Sequence, residues 1–123
     1  MKIANKTGVL GEDIAVDYLK KKGYKIIERN FRKKYEEIDI ISIKDKTLVF
    51  IEVKTRKSTA FGTPFEAIAP WKLKHLVQLA QFYKITHKNL PEDMRIDAIG
   101  VKFNGESLES IEHLENIMDI DFT

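Results

Sequence analysis

Apolar residues recur at helical spacing between residues 7 and 22. Leu10, Ile14 and Tyr18 follow one another at i+4, with Ala15 and Leu19 beside them. Asn5 or Thr7 can cap this helix. Glu12 and Asp13 lie towards its positive end and Lys20, Lys21 and Lys22 at its negative end, and Gly23 ends it as a residue able to take positive φ. The pattern then changes to strands, over residues 24–31, 37–43 and 48–55. The polar loop 44–47 predicts that the second and third strands form a hairpin. Both are apolar almost throughout, which predicts a central pair covered on both faces. After the loop 56–63, Pro64 opens a short helical turn, and Pro70 starts a helix to about Lys84 with Leu73, Leu76, Val77, Ala80 and Tyr83 on its apolar stripe. Residues 95–101 read as a fourth strand. The tail fits two patterns, a helix carrying Leu108, Ile111, Leu114 and Met118 or a fifth strand over 107–113. This order predicts an α/β layer fold, a sheet flanked by helices.

A chain of 123 residues, 43% hydrophobic, suits a single domain over 1–123. No run approaches the roughly 20 apolar residues that cross a bilayer, and residues 1–6 lack a signal peptide's apolar stretch, so a cytoplasmic protein with no membrane partner is expected. The absence of cysteine excludes disulfides, thiol nucleophiles and cysteine-type zinc sites. The net charge is only +2, but it is unevenly spread. Residues 1–91 carry 19 Lys/Arg against 10 Asp/Glu, and residues 92–123 carry 2 against 9. The basic excess peaks at Lys20, Lys21, Lys22, Lys25, Arg29, Arg32, Lys33 and Lys34. Such a patch either holds a polyanion through phosphate contacts or is a solvated lysine-rich surface.

The candidate chemistry lies on the two central strands. Period-two alternation puts Glu52 and Lys54 on one face of a strand otherwise built for burial, and buried charge must be paired or bind metal. With loop 44–47, Ile43 pairs with Leu48 and Asp39 is expected opposite Glu52 on the same face. Cross-strand carboxylates repel, which makes sense if a divalent cation lies between them, and Mg2+ suits an oxygen-only site. Lys54 beside such a site can orient water and stabilise developing negative charge on a phosphate. The competing reading is a Glu52–Lys54 pair that only neutralises itself.

Asp39, followed twelve residues on by Ile51-Glu52-Val53-Lys54, resembles the PD-(D/E)XK pattern of restriction-endonuclease-like nucleases. More narrowly, the chain resembles the YraN family of small bacterial proteins, related to archaeal Holliday-junction resolvases. The matching pieces include Gly8…Gly11-Glu12, Gly23-Tyr24, Asn30-Phe31, Glu37-Ile38-Asp39, Glu52-Val53-Lys54-Thr55-Arg56, Phe61-Gly62, Lys72 and Arg95-Ile96-Asp97, spread over nearly the whole chain. The resemblance implies a three-layer fold, a mixed central sheet flanked by helices, and hydrolysis of phosphodiesters with Mg2+ or Mn2+. Asp39, Glu52 and the Val53 carbonyl would hold the metal and Lys54 would act on water. It also implies DNA as partner, branched or structured, with RNA open, and a homodimer. Where the family has Gly before the Glu-Ile-Asp triplet, this chain has Glu36.

Glu12 lies at the border of its helix's apolar face and is either a further metal ligand, as the resemblance suggests, or an acid favoured by the helix dipole. Glu37 shares the expected face of Asp39 and is a ligand or a strand-end charge. Lys33, Lys34, Arg56, Lys57 and Lys72 are the candidate phosphate contacts, with Lys74 and His75 near the same helix start; for Arg56 and Lys57 the alternative is a solvated loop. Trp71 reads as a packing residue, with a base-stacking platform as the alternative, the three histidines read as non-ligands, and Arg95 with Asp97 reads as a structural pair. A metal-dependent endonuclease is the leading expectation, a non-cutting nucleic-acid-binding module of the same fold the second, and a purely structural ion network the third.

Overall fold

The computed structural model describes residues 6–59 and 61–119. Helix α1 (Lys6–Lys21) is followed by strands β1 (Lys25–Lys33), β2 (Glu36–Lys44) and β3 (Thr47–Lys57), helix α2 (Pro70–Thr86), and strands β4 (Asp93–Asn104) and β5 (Ser107–Leu114). One-turn helices span Phe65–Ala67 and Ile117–Asp119. The five strands form one sheet in chain order, antiparallel except for the parallel β3–β4 pair that α2 connects. A mixed sheet between two helices gives the three-layer α/β fold of restriction-endonuclease-like domains. No helix of the described residues is long and apolar enough to cross a membrane.

The alternation of β3 divides the core. Leu48 and Phe50 pack with Leu73, Leu76, Leu79, Ala80 and Tyr83 of α2, while Val49 and Ile51 pack with Ala15, Val16 and Leu19 of α1. Both central strands are therefore covered on both sides, as their continuous apolar runs predict. α1 ends as expected. Gly23 takes φ 90°, its N–H donates to the Lys20 carbonyl, and the Tyr24 N–H reaches back to Leu19, so both carbonyls near the helix end are satisfied. The expected caps, Asn5 and the Thr7 side chain, lie outside the described residues. α1 crosses the sheet closely at Gly11, where a Cβ would come 2.2 Å from Thr55 Oγ1.

Of the two patterns open for the tail, the strand is formed. β5 runs antiparallel to β4 and satisfies the amide and carbonyl groups of its outer edge, which a helix would leave unpaired. The Arg95–Asp97 pair is part of a larger network at that end. Asp97 is fully buried and accepts from Arg95 (3.0 and 3.2 Å), His113 (2.7 Å) and the Asn116 N–H (2.9 Å), while Arg95 also reaches Tyr24 and Glu115. Burial pushes the Asp97 carboxyl up, but these hydrogen bonds hold it below its usual value. Asp97, His113 and Glu115 bring ligand atoms within 4.8 Å of one another. The permanently charged Arg95 guanidinium stands among them, so the cluster reads as a structural ion network.

Candidate functional site at the fork between β2 and β3

The hairpin register is the expected one: Lys44 pairs with Thr47, Ile43 with Leu48, and so on to Ile40 with Ile51. The ladder stops there, one residue short of Asp39 and Glu52. Asp39 Oδ2 instead accepts the Val53 N–H at 2.8 Å, so its carboxylate takes the place of a main-chain acceptor where the strands separate. The period-two pattern also breaks at this point. Ile38 belongs to the core beneath α2 and Ile40 to that beneath α1, although they are two residues apart. β1 breaks in step: Arg29 reaches Glu12 and Asp13 on α1, whereas Phe31 meets the Tyr83 ring of α2 edge-on. Between them Asn30 takes φ 55°, flanked by the pairs Arg29–Ile40 and Phe31–Ile38.

This corrects the expectation that Asp39 and Glu52 share one face. Glu52 and Lys54 do share a face, the one beneath α2, as alternation from Phe50 requires, and Lys54 Nζ lies 3.6 Å from Glu52 Oε1. Asp39 opens on the α1 side, into a cavity of about 830 Å3 that Glu12, Glu37, Val53, Arg56 and Lys57 also line. The two carboxylates approach across the fork. Alternation carries parity only along an unbroken strand, and Asp39 stands where β2 ceases to be one.

On the α1 side, carboxylate oxygens of Glu12, Glu37 and Asp39 lie within 4.8 Å of one another. Glu12 points at the sheet, as its border position allows. α1 begins at Lys6 and has no acid in its first turn, so attraction to the helix dipole does not explain Glu12. Asn30 Nδ2 donates to Glu12 at 3.1 Å and to Glu37 at 3.0 Å, Arg29 holds Glu12, and Arg32 Nε holds Glu37 at 2.6 Å. Asn30, Arg29 and Arg32 were not singled out from sequence as parts of a site. The available signal was an Asn inside a strand, since Asn tolerates positive φ more readily than most residues.

The electrostatics of the fork are unfavourable to the ionised acids. The Asp39 carboxyl is pushed up to about 8, first by burial, then by the charge of Glu52, with Glu12 and Glu37 adding to it against the Val53 hydrogen bond. Burial pushes Glu52 up as well, against the pull of Lys54 and Lys72. Glu52 is 7% exposed, and its Oε2 is buried with no hydrogen-bond partner among the described residues. An acceptor oxygen without a donor, beside a second carboxyl that resists ionisation, is the complement of a cation. The donor set is all oxygen, and such a cluster of acidic groups could hold a metal ion. The residues fit such an ion.

The other predicted residues distribute unevenly. Arg56 and Lys57 line the cavity, with Arg56 Nη1 bound to the Gly62 carbonyl at 2.8 Å. Lys72 acts on Glu52 from the start of α2. Lys33 and Lys34 lie away from the cavity, in a separate groove beside α2, with Lys33 Nζ 3.7 Å above the Phe82 ring. Glu36 turns away from the acid cluster and pairs with His75 Nδ1 at 2.6 Å, so the departure at this position adds an acid to the α2 side. Trp71 is not packed as expected. It is 63% exposed, because Leu73 and Leu76 occupy the buried stripe of α2 and Trp71 falls outside it.

Comparison with known proteins covers nearly all of these positions. Residues 11–101 match a family model described as "Uncharacterised protein family UPF0102". The chain is 44% identical over 110 residues to a UPF0102 protein of Syntrophomonas wolfei, covering 89% of this chain and 94% of that one. It is also 44% identical over 120 residues to a relative in Caldanaerobacter subterraneus, covering 94% and 98%, and 39% identical over 115 residues to one in Persephonella marina, covering 94% and 95%. The matched span runs from Gly11 through the fork to Val101, and at this identity and coverage the chain belongs to the UPF0102 (YraN) family.

Proposed function

We propose that this protein is a metal-dependent phosphodiester hydrolase acting on nucleic acid. The observation that carries the reading is the state of the fork: Glu52 Oε2 is buried without a partner among the described residues, beside an Asp39 carboxyl pushed up to about 8, with Lys54 Nζ 3.6 Å from Glu52. A purely structural ion network would satisfy its buried acceptors, as the Asp97 network does. Asp39, Glu52 and the Val53 carbonyl would hold Mg2+ or Mn2+, with Glu12 as a further ligand. The bound ion would polarise the phosphate and lower the pKa of water.

The chain's own groups supply the rest. Lys54 orients the water and balances the charge that grows on the phosphate as water oxygen adds to phosphorus and one P–O ester bond breaks. Arg56 and Lys57 at the cavity and Lys72 above Glu52 are cations for the flanking phosphates. DNA is the proposed partner, branched or structured DNA in particular, with a homodimer matching a two-fold junction; RNA belongs in the same assay. Calorimetric titration with Mg2+ and Mn2+ near pH 8, and cleavage of linear, single-stranded and four-way-junction substrates, test the reading. Binding of the ion together with cleavage is expected. A protein that binds neither ion and cuts nothing refutes it.

One observation favours a second reading, a nucleic-acid-binding module that does not cut. Arg29, Asn30 and Arg32 occupy the oxygens of Glu12 and Glu37, so internal donors already neutralise part of the acid cluster. Salt-sensitive binding with no cleavage under either ion distinguishes this reading from the first.

A further inference from the structure

Among the exposed large apolar residues, Tyr35 is 102% exposed and Trp71 63% exposed. Tyr35 follows Lys34, whose φ of 57° makes the β1–β2 turn, and Trp71 lies in the first turn of α2. A bridge joins them: Trp71 meets the His75 ring edge-on at 5.6 Å, and His75 pairs at 2.6 Å with Glu36, the neighbour of Tyr35. Lysines flank both ends. Lys72 follows Trp71 and acts on Glu52 of the fork, and Lys34 precedes Tyr35 at a groove of about 260 Å3 against α2.

Exposed rings contribute little to folding, since burial is what makes an aromatic stabilising. A polar pair, Glu36 with His75, separates these two and lysines border them, so the surface lacks the contiguous apolar patch of a protein-docking face. Ring faces interleaved with lysines match a strand whose bases stack while its phosphates meet the cations. Bases inside a duplex have no free face to offer, whereas unpaired bases do. We propose that the Tyr35–Trp71 ridge is a stacking platform for an unpaired stretch of nucleic acid, which leads past Lys72 to the fork. The inference rests on the nucleic-acid reading above and narrows its substrate to strands with a single-stranded segment.

Trp71 is the only tryptophan of the chain, so its fluorescence reports on the platform directly. The full-length protein is titrated without metal at low salt with oligothymidylate, oligouridylate and a blunt duplex of equal length. Quenching by the single strands, with the duplex binding more weakly and quenching less, is expected; the two oligonucleotides separate DNA from RNA. In anisotropy titrations of labelled oligothymidylate, Trp71→Ala and Tyr35→Ala should each weaken binding about tenfold while leaving duplex affinity within about twofold. Circular dichroism checks that both exposed-site variants fold. Duplex binding as tight as single-strand binding with unchanged Trp71 emission, or equal losses for both substrates in the variants, overturns the platform and leaves the hydrolase reading standing. No binding to any of the three overturns both. Strong quenching by a protein that neither binds Mg2+ or Mn2+ nor cuts supports the platform and refutes the hydrolase.

Discussion

Replacing Asp39 by Asn is the perturbation on which the assignment of the fork turns. Burial and the charge of Glu52 raise the Asp39 carboxyl from 3.8 to about 8. The folded chain thus holds this proton more tightly than the unfolded chain, and folding stability falls as pH rises from about 4 to about 8. One pH unit of displacement is worth about 1.4 kcal/mol, so by pH 8 ionisation at the fork, where Asp39 and Glu52 titrate as a pair, disfavours the folded state by a few kcal/mol. That is a large part of the stability of a domain this size. Asn cannot ionise, and its Oδ1 can still accept the Val53 N–H. Asp39→Asn should therefore be more stable than the wild type near pH 8, by a few kcal/mol once partial solvent access is allowed for. The difference should shrink to within about 0.5 kcal/mol near pH 3, below the ordinary value of 3.8, where the carboxyl is protonated in both states. Urea denaturation of both proteins across this range, without metal, reads the difference. Adding Mg2+ near pH 8 should then stabilise the wild type and leave Asp39→Asn unchanged. Equal stabilities at every pH, or a variant that is weaker near pH 8, would show that Asp39 is a satisfied structural acid, and the reasoning would fail.

Lys54→Ala should keep calorimetric Mg2+ binding and lower the cleavage rate by at least about a hundredfold, because the lysine acts on water and phosphate and not on the ion. The double change Lys33→Glu with Lys34→Glu should weaken nucleic-acid binding about equally across sequences and flatten its dependence on salt, as read by anisotropy over a salt series. Asp97→Ala leaves the Arg95 guanidinium and His113 without their buried acceptor and should lower stability by about 3–5 kcal/mol in urea denaturation. In the wild type the Asp97 contribution is present above its ordinary pKa and is lost as pH falls through the lower folded value. Gly11→Ala drives a methyl against Thr55 Oγ1 and should lower stability by about 1–3 kcal/mol, with Thr55→Ala recovering part of the loss in thermal melts.

The sequence by itself determined the elements and much of their arrangement. Periodicity sets α1 and α2, Gly23 sets the end of α1, the four-residue loop sets the β2–β3 register, and alternation alone puts Lys54 beside Glu52. These are local properties, fixed by spacing along one element or one turn. The tertiary structure decided what local spacing does not carry. β5 became a strand because β4 had an open edge. Trp71 was left in solvent because the buried stripe of α2 is set by what α2 packs on. Glu36 turned to His75, and Glu37 and Glu12 converged with Asp39 on opposite sides of a gap that no sequence distance encodes. Above all, the parity of β2 changes at Asp39, matched across the sheet by Asn30. A strand can change faces only where its neighbour yields at the same place, so the position of the Asp39 carboxylate depends on three strands and a helix at once.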